Sequence, residues 1–143
     1  MATISDVLKE KGKGVIGVDP SATVYEAIEQ MVKHNCGSLL VMQDEDIAGI
    51  FTERDYLRKV TLQGRTAKTT AVQEIMTSPV VVVEAGAEID EALAMMTDRH
   101  IRHLPVVDGG RVVGVVSIGD LVKHKTKEQE FQIGYLEDYI GAR

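Results

Sequence analysis

Thr52 and Asp55 stand three residues apart, and so do Ser117 and Asp120. A hydroxyl followed by a carboxylate at this spacing is first of all a helix start: the hydroxyl caps the first turn and the carboxylate closes a capping box. The same pair can also do binding chemistry. An ionised Asp accepts two hydrogen bonds, which suits a ribose diol. Free backbone N–H groups in that turn favour an anion. A single [ST]-x-x-D reads as a cap. Two at matching positions of an internal repeat read as two related sites.

The repeat is explicit. Residues 18–57 align with 83–122 at a constant offset of 65 without a gap. Val18/Val83, Ala22/Ala87, Glu26/Glu91, Ala27/Ala92, Met31/Met96, Leu39/Leu104, Val41/Val106, Gly49/Gly114 and Asp55/Asp120 are identical across it. Val24/Ile89, Ile28/Leu93, Ile50/Val115 and Thr52/Ser117 exchange like for like. Two copies of one unit predict a pseudo-twofold body with a cleft between them, made unequal where the copies differ.

The elements that must position the two turns follow from periodicity. Val24, Ala27, Ile28, Met31 and Val32 have helical spacing within Thr23 to His34, and Asn35-Cys36-Gly37 stops that helix. Leu39 to Met42 and Ile47 to Phe51 read as strands joined by the acidic turn Gln43 to Asp46. Thr52 then caps a helix running to about Leu62. The second unit reads likewise: a strand at Val80 to Val83, a helix from Glu88 to Arg99, and strands Leu104 to Val107 and Val112 to Val116 about Asp108-Gly109-Gly110. A short strand at Val15 to Val18 completes the first unit, so each is β-α-β-β-α in an α/β (α+β) chain. A single three-stranded unit is marginal alone. Two units stacked face to face would bury both sheets. Short helices are expected at Ile4 to Glu10 and Ala71 to Met76, mirroring one another. The tail places Phe131, Tyr135, Leu136, Tyr139 and Ile140 on roughly one helical face.

Bulk properties narrow the function. A net charge of −6 and a pI near 5.2 argue against non-specific nucleic-acid binding. One cysteine forms no internal disulfide and fits a reducing compartment. MATISDVLKEKGK lacks a signal peptide's apolar run, and no apolar stretch is long enough to span a bilayer, so a cytoplasmic protein with no membrane contact is expected. His34, His100, His103 and His124 are too scattered for a metal site. No nucleophile with an adjacent base stands out, and the expectation is a non-enzyme.

The stretches GVDPSATVYEAI, GSLLVM and GIFTERD in the first unit, with VVEAGAEIDEAL, HIRHLPVVD and GVVSIGD in the second, resemble the CBS (cystathionine β-synthase) motif. The chain is similar to stand-alone CBS pairs, or Bateman modules, including bacterial and plant-mitochondrial ones. The resemblance places a first motif with its N-terminal helix at 1–62, a linker and short helix at 63–76, a second motif at 77–125 and a helical tail at 126–143. It implies a disc-like homodimer and an adenosyl ligand in the cleft, as in energy or redox sensors.

On that resemblance Asp55 and Asp120 would hold ribose, beside Thr52 and Ser117. Arg102 and His103 would face phosphate, with their small repeat mates Gly37 and Ser38 permitting close approach. Arg54 stands where the second unit has Gly119, and an arginine can clamp phosphate through two bonds. The Thr52/Asp55 site is therefore expected to be the more cationic, and the Ser117/Asp120 site the roomier. Adenine would lie against Val18, Ala22, Ile50 and Cys36 on one side and Val83, Ala87, Val115 and Ile101 on the other, though each taken singly also reads as core packing. AMP is the first-choice ligand because one phosphate matches the few basic groups; NAD, ADP, ATP and S-adenosylmethionine follow. An effector protein acting in trans is expected. The alternative is a nucleotide-modulated interaction module regulating a redox partner such as a thioredoxin.

Overall fold

The apolar runs of the two hairpins are realised as two separate three-stranded sheets in the computed structural model, which describes residues 2–127. The expected amphipathic tail at 128–143 lies outside the described residues. Helix α1 is Ile4–Lys11, entered through Thr3, whose backbone N–H donates to Asp6 Oδ2 at 2.9 Å. Strand β1 (Gly17–Val18) pairs in parallel with β2 (Ser38–Gln43), which pairs antiparallel with β3 (Asp46–Thr52). Helix α2 (Val24–Lys33) crosses between β1 and β2, capped by the Thr23 hydroxyl accepting from the Glu26 amide at 3.1 Å. Helix α3 is one α-turn, Glu53–Asp55, that widens into a π-helix over Tyr56–Thr61.

The second unit repeats this plan with β4 (Val83–Glu84), α4 (Ile89–Arg99), β5 (His103–Asp108), β6 (Arg111–Ser117) and α5, a helix over 118–127. The symmetry reaches irregular details. The hairpin register shifts after Val41/Gly49 in the first sheet and after Val106/Gly114 in the second, leaving Ala48 and Val113 as the extra residues. Asn35 and His100, also repeat mates, both take positive φ at the helix ends. The second hairpin turns through Gly109 and Gly110 at φ 60° and 81°, which is why glycine stands there twice.

The strand expected at Val80 to Val83 is shifted: only Val83 and Glu84 join the sheet. An apolar run alone does not fix a pairing edge. The helix expected at Ala71 to Met76 is instead a 3₁₀ turn over Val72–Glu74, following another at Ala67–Thr69.

The core is also divided. Leu39, Val41 and Phe51 pack on α2, while Leu104, Val106 and Val116 pack on α4, in two separate clusters. Each cluster is closed by the segment that leads the other unit. Ile4 and Val7 of α1 are buried in the second core, and Val72 and Ile75 are buried in the first. The docking bonds match: the Ile4 amide donates to the Ala87 carbonyl as the Val72 amide donates to that of Ala22. These leading segments correspond at an offset of 68 rather than 65, so the first unit has three extra residues between its leading segment and its strand. The alternate sheet faces carry Leu40 and Ile50, both buried outside either core, and their mates Pro105 and Val115.

Candidate functional site

The two hydroxyl–carboxylate turns sit where β3 runs into α3 and β6 runs into α5. Both form the expected caps. The Asp55 amide donates to Thr52 Oγ1 at 3.3 Å, and the Asp120 amide to Ser117 Oγ at 3.0 Å. In return the Thr52 amide donates to Asp55 Oδ2 at 3.0 Å and the Ser117 amide to Asp120 Oδ2 at 2.9 Å. The first helical amides are used as well: Glu53 N–H donates to the Gly37 carbonyl and Ile118 N–H to that of Arg102. Most of the N–H groups expected to be open to an anion are thus committed within the fold, and side-chain cations must carry more of any anion binding.

The carboxylates differ in what else they meet. Asp55 is buried, and its Oδ1 receives the Thr77 hydroxyl and the Lys59 ammonium, both at 3.0 Å. Asp120 is more open, and its Oδ2 receives Lys11 Nζ at 2.8 Å. That ammonium also donates to the Val115 carbonyl at 2.9 Å. Burial alone would push the Asp120 carboxyl up. The Lys11 and Ser117 hydrogen bonds, with the Lys11 charge, overcome this and hold it below the usual carboxylate range.

His103 lies between the two turns. A Cβ added at Gly37 would stand 3.0 Å from Glu53 Oε1 and 3.5 Å from His103 Nε2, so the glycine leaves the space that lets the second unit's imidazole approach the first unit's helix start. Burial lowers the His103 pKa below its ordinary 6.5; Lys11 and Arg102 lower it further against the opposing pull of Asp120. Each turn thus has its own ammonium, Lys59 at Asp55 and Lys11 at Asp120. Arg102 acts on His103, and both Arg102 and Arg54 are exposed. Gly119 leaves its neighbourhood open, its nearest contact being Ser117 Oγ at 3.6 Å from an added Cβ.

The residues expected to flank a flat ring separate into two groups. Cys36 and Val115 line one narrow cleft between the units with Ser38, Ile16, Lys11, Lys13 and Gly14. Its free volume is about 30 Å³, the room of one water rather than of a purine. Val83 is buried in the second core, where Ala87 and Ile101 pack against it; Val18 and Ala22 pack on the first core, and Ile50 is buried at the edge that bridges to Thr77. A larger cavity of about 170 Å³ opens beside Asp120, lined by Val7, Glu10, Lys11, Lys123 and His124.

Sequence reasoning missed Lys11, Lys13, Lys59 and Thr77. The first two stand in the Lys11-Gly12-Lys13-Gly14 run that ends α1, with Gly12 left-handed at φ 69°. Lys13 bonds the His34 carbonyl at 2.5 Å, where α2 ends. Only the docking of α1 on the second unit reveals that Lys11 reaches Asp120. Among the described residues no group of three or more His, Cys, Asp or Glu could hold a metal, and no helix is long and apolar enough to cross a membrane.

Comparison with known proteins finds the CBS domain model matching residues 4–61 and 72–127. Each match begins at a leading segment, with the same offset of 68. The chain is 42% identical to the mitochondrial CBS domain-containing protein CBSX3 of Arabidopsis thaliana, over 96% of this chain and 71% of that one. Among solved structures it resembles a protein with CBS domains from Burkholderia ambifaria, at TM-score 0.85 and 47% identity, covering 90% of this chain and 96% of the other. It also resembles the CBS domain pair of protein MJ0100, solved with 5′-methylthioadenosine and S-adenosyl-L-methionine, at TM-score 0.79 and 26% identity over 90% and 98%.

Proposed function

Since the chain belongs to the CBS domain family, with two repeats in tandem, we propose that it is a regulatory module binding an adenine nucleotide between its units, AMP first and NAD or ATP next. The observation that carries this reading is the Asp120 turn: a capped carboxylate beside a cavity, bonded by Lys11, with His103 and, through it, Arg102 nearby. The carboxylate suits a ribose diol, and the few cations suit a single phosphate. The adenosyl ligands held by the MJ0100 pair support the ligand class. The narrow cleft of this structure would have to open for a purine. Binding would therefore favour one arrangement of the units over another, and that difference in affinity is what makes a sensor. The role is non-catalytic and cytoplasmic in this reading.

Thermal shift of the wild type and Asp120→Asn with AMP, ATP, NAD and S-adenosylmethionine tests it. A ligand at about 100 times its dissociation constant adds roughly 2.7 kcal/mol of stability. A shift with AMP or NAD that Asp120→Asn removes supports the reading; no shift with any of them, in nucleotide-free protein, overturns it.

Homodimerisation is part of the proposal. A groove of about 590 Å³ between α2 and α3, lined by Ile28, Met31, Phe51 and Tyr56, is edged by exposed Val32 and Leu57. Such a face calls for a cover, and symmetric pairing is the default for soluble chains. The same groove favours the second reading, an interaction surface for a redox partner such as a thioredoxin. Sedimentation velocity separates them: a dimer supports the first, and a monomer that binds thioredoxin without nucleotide supports the second.

A further inference from the structure

The two repeat carboxylates share a sequence position but not a coordination state. An ionised carboxylate offers about four acceptor positions. Asp55 uses them on Thr52 N–H at 3.0 Å, Thr52 Oγ1 at 3.2 Å, Thr77 Oγ1 at 3.0 Å and Lys59 Nζ at 3.0 Å, with its side chain only 8% exposed. A diol could enter there only by expelling these donors. Thr77 is fixed by its backbone as well, since it exchanges both hydrogen bonds with Ile50 at 3.0 and 2.8 Å.

Asp120 keeps Oδ1 without a partner among the described residues, its side chain is 25% exposed, and it borders the cavity of about 170 Å³. The Lys11 ammonium donates at once to Asp120 Oδ2 and to the Val115 carbonyl, spanning the helix start and the strand end with two hydrogen bonds. A ribose presents two hydroxyl donors to the same kind of acceptor pair.

We infer that this chain takes a single adenosyl ligand, at the Ser117/Asp120 turn, and that Lys11 is its built-in competitor, occupying the diol's acceptors until ribose displaces it. The inference rests on the adenosyl-binding reading above. Asp55 is then a structural strut of the first unit. Displacing Lys11 loosens the last turn of α1, whose Ile4 and Val7 are buried in the second core, so ligand entry and α1 docking are linked. The freed ammonium remains tethered at the mouth of the site, where a phosphate would meet it.

Calorimetric titration of the whole chain with adenosine and with AMP, on wild type, Asp120→Asn and Lys11→Met, tests this. The expected stoichiometry is one ligand per chain. Asp120→Asn should weaken both ligands about tenfold or more, as for hydrogen bonds to a lost charged acceptor. Lys11→Met should tighten adenosine, and should help AMP less because the cation is lost with the competitor. If Lys11→Met fails to fold by circular dichroism, Lys11→Gln takes its place. Two ligands per chain, undiminished binding to Asp120→Asn, or weaker adenosine binding without Lys11 would each overturn the inference while leaving nucleotide binding intact. Absence of saturable binding in the wild type with either ligand, or with ATP, NAD or S-adenosylmethionine, would overturn the parent reading and this one together.

Discussion

Leu8 of α1 lies directly against Gly114 of β6: a Cβ at that glycine would stand 2.9 Å from the leucine Cδ2. In the first unit Gly49 meets Met76 in the same way, with the methionine Sδ 2.5 Å from the added Cβ and the Thr77 carbonyl oxygen at 3.0 Å. The two conserved-in-repeat glycines are therefore the seats of the exchanged leading segments.

Gly49→Ala should destabilise the fold more than Gly114→Ala, by about 1–3 kcal/mol against a smaller loss, because at Gly49 the side-chain overlap is deeper and the Thr77 backbone oxygen adds to it. Urea denaturation measures both. Adding Leu8→Ala to Gly114→Ala should cost less than the sum of the single changes, a coupling that identifies the contact.

Ile4 is fully buried in the second core although it stands at the start of the first unit in sequence. Ile4→Ala should cost about 2–5 kcal/mol. In native-state hydrogen exchange, protection should fall first in β5 and β6, not in β2 and β3. Uniform loss across both sheets would contradict the division into two cores.

Asp55→Ala and Asp120→Ala should separate in stability as their surroundings do. Removing Asp55 strips four donors of a buried acceptor and should cost about 2–3 kcal/mol. Removing the more exposed Asp120 should cost about 1 kcal/mol or less. Equal losses in denaturant melts would contradict the assignment of Asp55 as a strut.

His103 should make stability fall in mild acid. Its folded pKa is depressed by burial, then by Lys11 and Arg102, so the unfolded chain takes up the proton first. Stability from this group is fully present above the ordinary value of 6.5 and declines as pH drops from there toward the lower folded pKa. His103→Gln should flatten that part of the profile, measured as Tm between pH 7 and pH 5. Lys11→Met should move the decline to lower amplitude, since it removes one of the charges that disfavour imidazolium.

The β-α-β-β-α plan was legible because apolar periodicity and the 65-residue offset report local structure and its duplication. Thr52, Asp55, Ser117 and Asp120 fall at helix starts, where their residue types belong. What sequence could not reveal was non-local. The helix expected at Ala71 to Met76 as the mirror of Ile4 to Glu10 is one 3₁₀ turn, which already brings Val72 and Ile75 into the first core. Lys11 stands just past the helix expected at Ile4 to Glu10, and its pairing with Asp120 depends on a crossing of 109 residues. The ammonium at the second turn comes from Lys11, in the segment that leads the other unit.

The exchange of leading segments also sets an order of completion during synthesis. Every residue of the first core lies within 16–76, so that half can close while the ribosome is still making the second. Helix α1 is translated before either sheet, but its seat in the other half requires Leu104, Val106, Val116 and Leu121. Helix α1 thus emerges before the first core yet docks after it, once about a hundred further residues have completed its seat.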